Sequence, residues 1–97
     1  MPSRTPLADD AIEAALASLP GWTRDGDRLV KTYRFGGFRE AVAFIVRLAF
    51  EAEAMDHHPE LTNVYDRVTL ALNTHDAGNR ITAMDVELAR RIENVQR

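Results

Sequence analysis

The stretch EAMDHHPELTNVYDRVTLALNTH, residues 53–75, contains all three histidines of this 97-residue chain. The histidines fall into two groups, His57 and His58 near the start of the stretch and His75 at its end. Between the groups, apolar and polar side chains alternate on either side of a short polar turn, which predicts a β-hairpin. A tight turn places residues that are distant in sequence on neighbouring strands. We therefore expect the hairpin to bring His75 back towards the other two histidines, where a site can form.

The residues around the first pair of histidines favour proton transfer. Histidine titrates close to neutral pH, so a group of histidines can include one that donates a proton and one that accepts it. Glu53 lies four residues before His57, so the two share a face if the chain is helical there, and Asp56 is adjacent. Pro59 is expected to end that helix, and the C-terminal end of a helix favours a cationic imidazole.

The hydrophobic patterns of the whole chain predict three helices and two hairpins. The predicted elements are a helix over 8–19, strands over 22–24 and 28–35, a helix over 38–56, strands over 61–65 and 67–74, and a helix from about Thr82. Hairpins separated by helices indicate an antiparallel sheet with one covered face. We therefore predict an α+β fold in the order α-β-β-α-β-β-α, a four-stranded antiparallel sheet with three helices packed on one face, in a single domain over 1–97.

The central helix is apolar around much of its circumference. One helical stripe is predicted to face the sheet; it comprises Phe38, Ala41, Val42, Ile45, Leu48, Ala49 and Ala52. Phe44, Val46 and Phe50 fall outside this stripe. A monomer of this size cannot easily hide so much apolar surface, so the pattern predicts an oligomer.

Composition excludes several classes of function. The formal net charge is −3, and no basic region is evident that would bind nucleic acid or an anionic membrane. The absence of cysteine excludes disulfides, thiolate nucleophiles and thiolate metal ligands. The N-terminus lacks the apolar core of a signal peptide, and no apolar run is long enough to span a bilayer. We therefore expect a cytoplasmic protein.

Five short motifs, in order along the chain, give the sequence a resemblance to a known family. They are Gly21-Trp22, Glu53-x-x-x-His57-His58-Pro59, Asn63-Val64-Tyr65, Thr74-His75-Asp76-Ala77-Gly78 and Thr82-x-x-Asp85. With the long helix, they resemble the signature of the pterin-4a-carbinolamine dehydratase family over nearly the whole chain.

The resemblance implies an enzyme that dehydrates 4a-hydroxytetrahydropterin to quinonoid dihydropterin, in the recycling of the pterin cofactor of aromatic amino-acid hydroxylases. It implies His57, His58 and His75 as catalytic residues and assembly as a homodimer or homotetramer. We expect neither a metal nor a cofactor, because the pterin nitrogens supply the electron push. The expected substrate-binding residues are Glu53, Asp56, Asn73, Thr74, Asp76 and, as a stacking surface, Trp22. Asp85 lies one position farther from His75 than in the family pattern, and we interpret it as a first-turn carboxylate that stabilises the last helix.

The chemistry requires an acid and a base on either side of the substrate ring. We expect His57 or His58 to protonate the leaving hydroxyl and His75 to act on the base side, with Glu53 or Asp56 orienting an imidazole. A metal-dependent hydrolase is a rival, but adjacent histidines diverge on a helix and the H-E-x-x-H motif is absent. A binding module without catalysis is the second rival, because a fold alone does not determine function.

Overall fold

The structure, a computed structural model, describes residues 1–96 and has the predicted order of elements. The elements are α1 (Asp9–Leu16), β1 (Thr23–Asp25), β2 (Arg28–Arg34), α2 (Phe38–Met55), β3 (Glu60–Val64), β4 (Arg67–Leu72) and α3 (Ala83–Val95), with a 3-10 turn over His75–Ala77 between β4 and α3. This order confirms the α+β prediction. Among residues 1–96, no helix combines the length and the apolar character needed to cross a membrane.

The four strands form one antiparallel sheet in the order β1-β2-β4-β3. On β4, Val68, Leu70 and Leu72 are buried as the predicted alternation requires, although Ala71 on the other face is also only 9% exposed. The opposite face is polar, and there the hydroxyls of Thr32 and Thr69 lie 3.0 Å apart on the two central strands. The sheet therefore buries one face against the helices and leaves the other open, as expected for an amphipathic antiparallel sheet.

The face of α2 that packs on the sheet differs from the predicted stripe. The buried residues of this helix are Ala41, Phe44, Leu48, Ala52 and Met55. The assignment of Phe44 to the outside was therefore wrong: its ring lies 4.7 Å from that of Tyr33 and 4.9 Å from that of Phe35, centroid to centroid. The assignment of Phe38, Val42 and Ala49 to the sheet side was also wrong, because all three are exposed. Apolar residues occur on two faces of α2, and the aromatic rings of β2 determine which one is buried.

Most predicted boundaries shift by one residue, and the ends of α1 and β4 shift by three and two residues. α1 ends at Leu16 rather than at residue 19, although Leu19 stays buried in the turn that follows. α2 ends before Pro59, because Asp56 adopts a left-handed conformation with φ 49°. β4 ends at Leu72, and Thr74 pairs instead with Arg80 across the next loop.

A partly buried carboxylate ties α3 to the sheet and to the α1–β1 loop. Glu93 Oε2 accepts hydrogen bonds from Trp22 Nε1 at 3.3 Å, from Lys31 Nζ at 2.7 Å and from the Tyr33 hydroxyl. Lys31 also donates to the carbonyl of Pro20 at 2.6 Å. Burial by itself would raise the pKa of Glu93, but the hydrogen bonds from Lys31 and Tyr33 outweigh burial, so the pKa lies below its ordinary value. Burial and the bond to Glu93 raise the pKa of Tyr33, which keeps its hydroxyl a donor.

Glu93→Gln should therefore reduce stability in a pH-dependent way. A carboxylate with a depressed folded-state pKa stabilises the protein above its unfolded pKa, and this stabilisation is lost as the pH falls through the folded pKa. The difference in free energy of unfolding between wild type and the variant should be largest near neutral pH. It should become smaller as the pH falls below 4.5, the ordinary pKa of a glutamate side chain. Urea unfolding across this range measures it, with the exposed Glu13→Gln as control. A difference that does not vary with pH would contradict the assignment.

Candidate active site

A cleft of about 410 Å³ opens where the C-terminal end of α2, the start of β3 and the end of β4 converge. Its lining residues are Arg4, Asp56, His57, His58, Pro59, Glu60, Ala71, Asn73, His75 and Asp76. The structure thus places all three histidines along one cleft. The hairpin between them runs out and back, with Glu60 paired to Ala71, so that residues before β3 and after β4 meet at the same end of the sheet.

The adjacent histidines diverge immediately after the left-handed residue that ends α2. His57 points inward and is only 5% exposed, and its Nε2 lies 2.6 Å from Asp85 Oδ1. His58 points outward, where its Nε2 lies 2.9 Å from Glu53 Oε1 on a largely exposed carboxylate. The two imidazoles therefore reach the cleft from different environments, one fixed in the interior and one close to solvent.

Asp85 joins the first turn of α3 to His57. Its Oδ2 accepts from the backbone N–H of Thr82 at 2.9 Å and lies 2.9 Å from the hydroxyl of Thr74. The hydroxyl of Thr82 accepts in turn from the backbone N–H of Met84 at 3.1 Å, which completes a capping box. The interpretation of Asp85 as a helix-stabilising carboxylate is thus confirmed. Its contact with His57 was missed, because the two residues are far apart in sequence and no local pattern connects them.

The loop before α3 is shaped to bring Asp85 to this position. Gly78 and Asn79 are both left-handed, with φ 71° and 62°, a conformation that glycine and asparagine tolerate best. The loop closes on Thr74, whose N–H donates to the carbonyl of Arg80 and whose carbonyl accepts from the N–H of Asn79. The N-terminus of α3 is consequently held beside Thr74, within reach of His57.

The residues expected to bind substrate divide into two groups. Asp56, Asn73 and Asp76 line the cleft. Glu53 does not line it but contacts His58, and Thr74 is fully buried behind the cleft. The structure does not bring Trp22 to the cleft: it is 4% exposed in the hydrophobic core, where it donates to Glu93.

Arg4 and Glu60 line the cleft and were not expected from the sequence. The guanidinium of Arg4 lies 3.5 Å from the carbonyl oxygen of Asp56 and 3.9 Å from Asp76 Oδ2. Arg4 places a positive charge in a cleft that is also lined by the carboxylates of Asp56, Glu60 and Asp76. No sequence pattern among the N-terminal residues predicted that Arg4 would lie at the cleft. Within residues 1–96, no three histidine, aspartate or glutamate side chains converge in a way that would hold a metal ion.

A comparison with known protein families gives a match over nearly the whole chain. The family model described as pterin 4 alpha carbinolamine dehydratase matches residues 5–95. The chain belongs to the pterin-4a-carbinolamine dehydratase family. The resemblance seen in the sequence motifs is thereby confirmed.

Individual proteins resemble this chain in sequence or in fold. A protein of Opitutus terrae, provisionally named a pterin-4-alpha-carbinolamine dehydratase, is 60% identical over 95 residues, which are 98% of this chain and 96% of that protein. A Brucella melitensis protein described as a transcriptional coactivator/pterin dehydratase superposes with a TM-score of 0.91 at 32% identity, covering 96% of this chain and all of the other. A pterin dehydratase-like RuBisCO assembly factor of the α-carboxysome, with a TM-score of 0.66 at 23% identity over 78% of this chain and 89% of its own, shares the fold.

Thr82→Ala should destabilise the protein by about 1–2 kcal/mol, because it removes the N-cap hydroxyl of α3 and a partner of Thr74. Thermal or urea unfolding measures the loss. Thr82→Ser, which retains the hydroxyl, is the matched control and should stay close to wild type. If alanine and serine destabilise equally, the hydroxyl contributes nothing and the proposed importance of this cap is wrong.

Proposed function

We propose that this protein catalyses the dehydration of 4a-hydroxytetrahydropterin to quinonoid dihydropterin by histidine acid-base catalysis. The observation that carries the proposal is the convergence of His57, His58 and His75 on one cleft. Membership of the pterin dehydratase family and the name of the Opitutus terrae relative support a pterin carbinolamine as the substrate class. On this proposal the protein acts in the cytoplasm, where it recycles the pterin cofactor of an aromatic amino-acid hydroxylase.

The reaction requires both a proton donor and a proton acceptor, and the cleft contains side chains that can take either role. Loss of the C4a hydroxyl as water requires a proton on the leaving oxygen, and removal of a proton from the adjacent ring nitrogen supplies the electron pair for the new C=N bond. One imidazole must therefore donate while another accepts, which three histidines in one cleft allow. The substrate nitrogen provides the electron push itself, so the proposal includes neither a metal nor a cofactor.

The acidic lining suits the edge of a pterin ring. A pterin presents an amino group and ring N–H groups as donors, and carboxylates are acceptors. Asp56, Asp76 and the side-chain oxygen of Asn73 can accept these hydrogen bonds along the cleft. Glu53 holds His58 rather than the substrate, since its carboxylate is already bonded to that imidazole. These contacts would orient the flat ring between the histidines.

A second copy of the chain is the partner that best fits the apolar surface. Phe38, Val42, Val46 and Phe50 follow one another every four residues along α2 and are 37–73% exposed. Beside them lies β3, an edge strand whose Leu61 is 37% exposed. A groove of about 530 Å³ joins the two elements. Exposed apolar patches of this kind mark interfaces, and an open strand edge can pair with another strand, so we propose a homodimer or homotetramer through this surface.

The dehydratase is tested by the decay of 4a-hydroxytetrahydropterin generated in place by a phenylalanine hydroxylase. Wild type should accelerate the decay. His58→Ala and His75→Ala should each reduce the catalysed rate by about 100-fold or more, because a positioned acid or base contributes about that much. Arg90→Ala, at an exposed position on α3, is the control and should leave the rate unchanged. Well-folded wild type without acceleration would contradict the proposal and favour a binding role without catalysis.

Oligomerisation is tested by sedimentation of wild type and of the double variant Val46→Glu/Phe50→Glu. Wild type should sediment at two or four times the chain mass of 10.9 kDa. Charges on the exposed apolar surface of α2 oppose its burial, so the variant should sediment as a folded monomer. Ala14→Glu, which adds a charge at an exposed position of α1, should keep the wild-type mass. A monomeric wild type would overturn the proposed interface.

A further inference from the structure

The uncovered face of the sheet carries a second cavity beside the histidine cleft. This cavity has a volume of about 380 Å³ and is lined by residues of all four strands. Glu60 and Ala71, which are paired on β3 and β4, line both this cavity and the histidine cleft. Alanine carries a single methyl group, so the surface between the two cavities is low at this point. A ligand bound in the cleft can therefore extend onto the open face of the sheet.

Three threonines lie side by side across the sheet in the second cavity. Thr69 on β4 is paired with Thr32 on β2 and with Thr62 on β3, and all three are exposed and line the cavity. The hydroxyls of Thr32 and Thr69 are 3.0 Å apart. One of these two hydroxyls donates to the other, so the acceptor keeps its own proton and both oxygens keep lone pairs. This row of threonines can therefore donate hydrogen bonds to a ligand and accept them from it.

The charged side chains of the second cavity are already paired. Arg28 donates to Glu60 Oε2 at 2.9 Å and to Asp25 Oδ2 at 3.2 Å. Lys31 donates to Glu93 Oε2 at 2.7 Å. Because carboxylates neutralise both of these cations, an anionic ligand group would gain little from them and would lose its hydration. A neutral hydroxyl group, in contrast, can donate to a carboxylate or bond to a threonine while the ion pairs stay in place.

The orientation proposed for the pterin ring directs its substituent towards the second cavity. In that orientation the amino group of the ring is bound by Asp56 and Asp76, which lie outside the strands, before β3 and after β4. A pterin carries its substituent at the end opposite the amino group, so the substituent points towards Glu60 and Ala71. Thr69 is two residues from Ala71 along β4, a distance of about 7 Å. A three-carbon side chain with a terminal hydroxyl can bridge this distance, including the final hydrogen bond.

We propose that the cavity on the open face of the sheet is a subsite for the neutral, polyhydroxylated side chain of a pterin whose ring lies in the histidine cleft. This inference rests on the proposed dehydratase function and narrows its substrate class. Glu60 and the row of threonines bind the hydroxyl groups of the side chain, since a few well-placed polar groups give a binding site its specificity. A pterin with a methyl group in place of this side chain occupies the cleft alone.

Calorimetric binding of two dihydropterins, one with a methyl and one with a trihydroxypropyl substituent at the same ring position, tests the subsite without turnover. The Kd of the trihydroxypropyl compound should be lower by about tenfold, because two or more added hydrogen bonds contribute about that factor. Equal Kd values would overturn the subsite and leave the proposed dehydratase function intact. Failure of both compounds to bind would overturn the subsite together with that function, so the two failures are distinguishable.

A trihydroxypropyl compound that is phosphorylated on its terminal hydroxyl tests whether the side chain must be neutral. Because the cations of the cavity are already paired, the phosphate should raise the Kd relative to that of the unphosphorylated compound. A phosphate that lowers the Kd would contradict the neutral assignment.

The double variant Thr62→Val/Thr69→Val locates the subsite. Valine keeps the branched shape of threonine without the hydroxyl and is favoured in strands, so the variant should fold. Its Kd for the trihydroxypropyl compound should rise by about fivefold or more, whereas its Kd for the methyl compound should stay within about twofold of wild type. Ser18→Ala removes an exposed hydroxyl from the turn after α1 and should alter neither Kd. A folded double variant that keeps the wild-type preference would refute the proposal.

Discussion

The buried carboxylate of Asp85 is the constraint on which the site depends. A buried charge is costly unless hydrogen bonds compensate it, and here the donors come from α3, from the end of β4 and from the residue after α2. Three segments of the chain must therefore be in place together before the charge is satisfied. Once they are, the imidazole of His57 cannot rotate without leaving a donor or an acceptor unpaired, so the cleft is organised before a ligand arrives.

The features that depend on local sequence could be predicted. Alternation on β4 and the polar turn before it gave the second hairpin, and Thr82 with Asp85 three residues later gave the capping box at the start of α3. The grouping of the histidines along one cleft also followed, because a hairpin has only one way of returning the chain beside its start. Each of these features is determined by residues that are close in sequence or joined by one turn.

The features that were not predicted from the sequence depend on contacts between residues that are distant along the chain. α2 offers two apolar faces, and the rings of Tyr33 and Phe35 on another element determine that Phe44 is buried. Trp22 is held in the core by Glu93, which lies at the far end of the chain. The bond between His57 and Asp85 likewise joins residues whose spacing carries no periodic signal. Hydrophobic periodicity predicts helices and strands. Which residues contact each other across the core, however, depends on the complete fold.

The N-terminal segment that contains Arg4 forms one side of the cleft. Leu7 donates to the carbonyl of Ile81 at 2.9 Å, and Pro6 is bridged to Thr82, so the arm is fastened to the loop before α3 and Arg4 is held at the opening. An affinity tag fused at this end would begin beside the site, and a start codon a few residues downstream would delete a cation from a lining rich in carboxylates. Preparations that differ only in their first residues would thus differ in the electrostatic potential that the substrate meets.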